Sequence, residues 1–276
     1  MKVLFISDFS LFQNSGGAQV SNDFIIKKGE SLGYDITLHN FDSSTINLIY
    51  NYDLVISSNM EILNKDEQIF NYIINHNNHI RLEHDSCLYL SEKRRKDLFT
   101  SAKKSFFLSE FHLDFFKKSY GNYFTNTEIV YDYISLEHFD ISNEEKEFDI
   151  VYCGFLHPLK GLNNLIDFAL KNKDRKISVF GWGDTSKLKM AKNIEYLGEK
   201  NNLEISNIFK KSKFVFHSPI VNEPFCRMVG EALLCGCEII GDTNKIGSYL
   251  EYQRVGLEKF KEKCSSAAEE FWQKAI

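Results

Sequence analysis

Proline is scarce in this 276-residue chain, at three residues, and no two of the six cysteines form a CxxC pair. The first shortage leaves no room for a proline-rich spacer, and no low-complexity segment or short-period repeat takes its place. Cys87, Cys153, Cys226, Cys235, Cys237 and Cys264 have neither zinc-ligand spacing nor a histidine cluster to complete a site. Reduced thiols in a cytoplasmic protein are the expectation. No apolar run reaches the roughly 18 residues of a membrane span, and Met1 leads into strand-like VLFIS rather than a signal peptide. The dinucleotide fingerprint GxGxxG is missing, as is any Asp-x-Asp motif after a strand, so no metal ligand set is expected.

What is present is ordinary for a globular protein: 43% hydrophobic and 26% charged residues, with 24 Phe and 13 Tyr. The net charge of −5 is uneven. Residues 1–145 carry 13 Lys and Arg against 21 Asp and Glu, and residues 146–276 carry 20 against 17. The second half is the better host for an anion, and the acidic first half argues against a broad nucleic-acid footprint.

Short apolar runs alternate with amphipathic ones. VLFIS (3–7), YDITLHNF (34–41), DLVISS (53–58), HIRLEH (79–84), SFFLS (105–109) and TEIVYDY (127–133) read as strands. Their near-continuous hydrophobicity suits a parallel sheet buried on both faces. AQVSNDFIIKKGESLG (18–33) reads as a helix ending on Gly33. The polar stretch ISNEEKEF (141–148) reads as a linker. A second series follows: DIVYCGF (149–155), KISVFGW (176–182), IEYLG (194–198), FVFHSP (214–219) and CEIIGDT (237–243). The expected fold class is α/β, with two doubly wound, Rossmann-like domains at 1–142 and 148–250 and a helical tail at 251–276. Ligands of such folds bind in a cleft at the carboxyl ends of the strands.

The motifs lie after strands. SGGAQV (15–20) opens the first helix; Gly16 and Gly17 let backbone N–H groups approach an anion, although a tight turn alone also explains them. EHDS (83–86) offers His84 and Asp85, where His84 could serve a sugar hydroxyl or simply satisfy the backbone. GFLHPLKG (154–161) presents Lys160, a phosphate partner. NEPFCRMVGEALLCG (222–236) carries two glutamates beside apolar sequence, costly to desolvate without partners. Pro224 fits a helix start and Gly236 a helix end, so the helix is predicted to begin at Phe225 or Cys226. Its N–H groups and Arg227 make an anion site. Eight helical residues rise about 12 Å. Glu223 and Glu231 could therefore grip the two ends of a ligand whose anionic middle sits at the helix start.

This stretch resembles the E-x7-E signature of retaining GT-B glycosyltransferases, particularly family 4, the group 1 glycosyl transferases. GFLHPLKG resembles that family's G-R-L-x-x-x-K-G loop, SGGAQV its glycine loop and EHD its cleft histidine. The resemblance spans nearly the whole chain in order. It implies a nucleotide diphosphate sugar, UDP- or GDP-linked, as donor, with no cofactor and no metal required. It assigns Glu231 to the ribose hydroxyls and Glu223 to the transferred sugar. The Phe225–Cys226 backbone, Lys160 and Arg227 fall to the diphosphate, and His84 to the reacting sugar. Phe155 stands where the family usually has arginine, and Cys226 where it usually has glycine. These departures keep a non-catalytic nucleotide-sugar or glycan-binding protein open as an alternative. A nucleotide-sugar epimerase or hydrolase is a second.

The acceptor is not legible. KRRKDLFTSAKK (93–104) is a basic patch on the acidic half. It is a candidate for peripheral membrane contact, for a phosphorylated acceptor or, as in some phage glycosyltransferases, for modified DNA. A solvated helix face explains it equally.

Overall fold

The computed structural model describes residues 1–12, 16–40, 52–58, 61–86, 90–121, 123–124 and 126–276. It divides into two compact units: residues 1–133 with 266–276, and residues 134–265.

In the first unit, strands β1 (Lys2–Ile6), β2 (Asp35–His39), β3 (Leu54–Ser58), β4 (His79–Leu82), β5 (Lys104–Phe107) and β6 (Thr127–Ile129) form one sheet in the order β2-β1-β3-β4-β5-β6. Every pairing is parallel. β3 and β4 are buried at every position, which is why their sequences lack strand-like alternation. The crossovers are α1 (Gly17–Ser31), α2 (Glu61–Lys65), α3 (Glu67–Ile74), α4 (Glu92–Ser101) and α5 (Glu110–Tyr120). Local chemistry starts the last three: Asp66, Ser91 and Ser109 each accept a hydrogen bond from a first-turn backbone N–H. The predicted strand 127–133 stops at Ile129; Val130 still donates to Phe107 O at 2.9 Å, but the buried residues beyond it form no ladder.

In the second unit, β7 (Phe148–Cys153), β8 (Ile177–Phe180), β9 (Ile194–Tyr196), β10 (Ser212–Phe216) and β11 (Glu238–Ile240) form a parallel sheet in the order β11-β10-β7-β8-β9. Its helices are α6 (Leu162–Lys171), α7 (Asn202–Lys210), α8 (Arg227–Leu234) and α9 (Gly247–Val255). α7 opens with a reciprocal capping box between Asn201 and Glu204. A core of Ile150, Tyr152, Leu165, Ile177 and Val179 fills the space under α6.

The helix α10 (Leu257–Ala275) contributes to both units. Phe260 stacks on Phe225 in the second, with ring centroids 6.1 Å apart. Trp272 is buried in the first, donating from Nε1 to Ile25 O at 2.7 Å. Residues 141–147, the expected linker, have no regular structure.

Candidate functional site

The second unit assembles most of the predicted residues around the start of α8. β10 ends at Phe216, and the chain turns through His217, Ser218 and Pro219. The loop after β7 rests on this turn. Asn164 donates to Ser218 O at 2.7 Å, and Ile220 N donates to Leu159 O at 3.0 Å. Gly161, at φ +90°, lies so close to the Ser218 carbonyl that any Cβ would collide with it. That approach brings Lys160 beside Glu223.

Glu223 is pinned through its backbone. Its N–H donates to Lys245 O at 2.8 Å, and its carbonyl accepts from Gly247 N at 2.9 Å. Its side chain is only 9% exposed. Oε1 lies 2.7 Å from Lys160 Nζ and 3.8 Å from His217 Nε2. Burial works against the charge of Glu223, but His217 and Lys160 outweigh it and hold the carboxyl at about 2. Glu231, one turn into α8 and 8% exposed, accepts from Arg227 Nη2 at 2.9 Å. The two costly carboxylates are thus each paired with one of the two predicted phosphate-binding cations.

α8 begins at Arg227, with Cys226 as its N-cap and no side-chain cap. The predicted start at Phe225 or Cys226 was one or two residues early. Cys226 is left-handed, at φ +69° and ψ +81°, which breaks the helical run there. The same backbone gives a physical reason for the glycine that the resemblance implies at this position. Phe225 is a core residue against Phe260, leaving only its backbone for a ligand. Phe155, in place of the expected arginine, lies between His157 and Trp182, with centroids at 5.0 and 4.1 Å. The loops after β7 and β8 are joined there by a bridge between Leu156 and Gly183.

The first unit holds the other four predicted residues. Gly16 is the N-cap of α1 and Gly17 its first residue, with no side-chain cap and no acidic residue in the first turn. Ser15 and Cys87 lie outside the described residues. His84 and Asp85 follow β4, held by a buried pair: Arg81 donates to Glu83 Oε2 from Nε at 3.1 Å and Nη2 at 2.7 Å. The other oxygen, Oε1, accepts the N–H groups of His84 and Asp85, both at 3.1 Å. Asp85 is itself exposed, and its carbonyl lies 2.9 Å from His112 Nε2.

The protonation of His84 follows from its neighbours. Ser7 donates to Phe9 O at 3.2 Å, so Ser7 Oγ accepts from Asn22 Nδ2 at 3.1 Å. That orients the Asn22 amide with Oδ1 toward Ser58 Oγ, 3.0 Å, and His84 Nε2, 2.9 Å. Oδ1 can only accept, so Nε2 carries the proton and Nδ1 keeps its lone pair. Burial, then Arg81 and His112, push His84 down to about 3, leaving it neutral at pH 7. Sequence reasoning missed Asn22, which sits mid-helix without a motif, and His217. The post-strand position that singled out His84 applies equally to His217.

Among the described residues, no group of three His, Cys, Asp or Glu is arranged to hold a metal, and no helix is long and apolar enough to cross a membrane. The arginines of the 93–104 patch are engaged locally. Arg94 binds Glu67 at 2.7 Å and covers the Phe70 ring, while Arg95 donates to Tyr123 Oη at 2.8 Å and covers Tyr120.

The glycosyl transferases group 1 family model matches residues 134–271, half of the chain and all of the unit that carries the paired glutamates. No curated protein matches the sequence. Solved structures match over all of it at low identity. HepE of Anabaena, in complex with UDP-glucose, aligns at 16% identity and TM-score 0.68, covering 100% of this chain and 95% of that one. Sucrose-phosphate synthase of Thermosynechococcus elongatus aligns at 12% and 0.66, covering 100% and 96%. A glycosyltransferase of Rickettsia africae aligns at 16% and 0.64, covering 100% and 93%. The two parallel α/β units therefore have the GT-B fold, and the chain belongs to the glycosyl transferases group 1 family.

Proposed function

We propose that this protein transfers a sugar from a nucleotide diphosphate sugar to an acceptor hydroxyl, retaining the anomeric configuration and needing no metal. The doubly paired start of α8 supports this most directly: Lys160 on Glu223 and Arg227 on Glu231, beside a helix N-terminus with no side-chain cap. A diphosphate arriving there would take over both cations. The glutamates would turn to hydroxyls, Glu231 to those of the ribose and Glu223 to those of the sugar. The Phe225–Cys226 backbone would add its N–H groups to Lys160 and Arg227 at the anion, and Gly16 and Gly17 are assigned backbone N–H groups for an anion by the same resemblance. His84, neutral with Nδ1 as acceptor, would receive a hydrogen bond from a sugar hydroxyl, with Asp85 beside it.

The bond from the anomeric carbon to the diphosphate breaks. Its charge is stabilised by Lys160, Arg227 and the helix dipole rather than by a divalent cation. The acceptor oxygen attacks from the same face, and the departing phosphate takes its proton. The UDP and UDP-glucose held by the HepE neighbour make UDP-sugars the first donors to try, with GDP-sugars next. We place the protein in the cytoplasm, and Lys96 and Lys103, both exposed, are the cations by which the patch would meet a membrane.

Thermal melting with UDP, GDP, ADP and CMP tests the donor. A ligand at about 100 times its Kd adds roughly 2.7 kcal/mol. One nucleotide should raise the melting temperature, and turnover with its sugar should survive excess EDTA. Strict dependence on Mn²⁺ or Mg²⁺ refutes the metal-free reading. Binding without turnover across acceptors would favour the non-catalytic alternative that Phe155 and Cys226 raise.

A further inference from the structure

We propose that Cys226 is a nucleophilic thiol, activated by His217 and the N-terminus of α8, and a site of mixed-disulfide formation that closes the adjacent anion site. Its Sγ lies 3.5 Å from His217 Nε2, and the same nitrogen lies 3.8 Å from Glu223 Oε1. His217 is 4% exposed, and its Nδ1 has no hydrogen-bond partner among the described residues. The ring is thus held with its one engaged nitrogen turned to a thiol and a carboxylate. A proton passing from Sγ to Nε2 leaves a thiolate beside an imidazolium, with Glu223 next to the new cation. Burial opposes charge on His217, but Cys226 and Glu223 raise its affinity for the proton. The start of an eight-residue helix with no side-chain cap adds its dipole at the position of the thiolate.

The remaining described cysteines are an internal contrast. Cys153, Cys235, Cys237 and Cys264 are buried, whereas Cys226 is partly exposed. Burial pushes the Cys153, Cys235 and Cys237 thiols up to about 12. Cys226 also packs against Val229, Leu233 and Ile246, so it has an apolar side, but Sγ meets the imidazole. A buried structural cysteine has no such partner. Cys226 also has a left-handed backbone, at φ +69°, which is strained at a non-glycine residue, and strained residues gather at working sites.

The step balances without a further reactant. The thiolate attacks one sulfur of a small disulfide R–S–S–R. A bond from Cys226 Sγ to that sulfur forms, the original S–S bond breaks, and R–S⁻ leaves with the electron pair. The R–S group then sits at the N-cap of α8, next to Lys160 and Arg227. This second part rests on the proposed donor site; the reactivity of the thiol does not.

The test uses the full chain with Cys87→Ser, because Cys87 lies outside the described residues, and the neutral probe 4,4′-dithiodipyridine, with mass spectrometry to locate the label. Cys226 should react first, at pH 6 about tenfold or more faster than glutathione, because the imidazole at its Sγ takes the thiol proton. Its rate should change little from pH 6 to 8, where an ordinary thiol gains about tenfold per pH unit. His217→Gln, checked for folding by its melting curve, should restore the ordinary pH dependence. A Cys226 rate that matches glutathione throughout, or a buried cysteine labelled first, overturns the proposal without any variant. Stabilisation by whichever of UDP, GDP, ADP and CMP raises the melting temperature is measured before and after labelling. Its disappearance on labelling is expected, and its persistence refutes closure of the anion site. If none of the four stabilises the unlabelled protein, the proposed function fails instead, while the labelling rates still decide the thiol.

Discussion

Glu223 and Glu231 illustrate how a residue's partners decide what its removal does. Both carboxylates are nearly buried, and each holds a cation at hydrogen-bond distance. On the proposed function, Glu231→Ala removes a charged acceptor from the ribose, worth about 1.5–3 kcal/mol. Calorimetry should find both free nucleotide and full donor weakened by about ten- to a hundredfold. Glu223→Ala should spare the free nucleotide, because Lys160 is released to the diphosphate, and should lower kcat with the full donor. Equal weakening of the free nucleotide by both variants would refute the two-ended grip. If His84 has the role proposed for it, Asn22 acts through it: Asn22→Leu keeps its bulk and removes the acceptor of the Nε2 proton. We expect kcat to fall about tenfold, the loss of one hydrogen bond of about 1.4 kcal/mol, with KM little changed. The ¹⁵N shifts of His84 should reveal mixed tautomers. An unchanged Nε2–H signature would remove Asn22 from this role.

At the scale of elements, β4 and its surroundings concentrate buried histidines. His79 in the strand, His84 after it and His112 in α5 are each pushed down to about 3, first by burial and then, for His79 and His84, by Arg81. Each folded-state value lies below the ordinary 6.5. The unfolded chain therefore takes up protons that the folded one refuses. This stability is fully present above about pH 6.5 and is lost as pH falls toward 3. The slope is about 1.4 kcal/mol per pH unit for each histidine inside that window. The buried Glu83 carboxyl, pushed up to about 7, works the other way, but three histidines outweigh one carboxyl, so urea midpoints should still drop between pH 7 and 5. His79→Gln, which keeps hydrogen-bonding capacity toward Ser57 and Ser101, should make the drop shallower. Midpoints level across pH 5–7 would contradict the buried neutral state.

At the scale of the whole molecule, the chain's last residues complete the first unit. Trp272 is buried, packs on Gly29 of α1 and donates to Ile25 O, while Phe271 lies 4.7 Å from Phe106 of β5. Trp272→Ala should cost about 3–5 kcal/mol, and Gly29→Leu should be equally harmful because a side chain there meets the indole. Chemical denaturation should locate the loss in the first unit. A melting temperature unchanged by Trp272→Ala would mean that the tail does not stabilise it.

Periodicity and turn chemistry, which are local, made much legible in the sequence: the strand series, the helix ending near Gly33, the post-strand loops bearing Lys160, Glu223 and His84, and Glu231 in the helix that follows. A strand buried on both faces has to be apolar, and a carboxylate in apolar sequence has to find a partner. Which partner was not legible. Lys160 reaches Glu223 across 63 positions because Gly161 lets the backbone approach Ser218, and that approach exists only once β7 and β10 lie side by side. Asn22 and His84, 62 positions apart, meet for the same kind of reason, through the order β1-β3-β4 and the helix that follows β1. The left-handed Cys226 with His217 at its thiol and the inward turn of Arg94 and Arg95 were likewise settled by packing. Contacts between distant segments form where the summed burial of many residues brings backbones together, and no short stretch of sequence carries that sum.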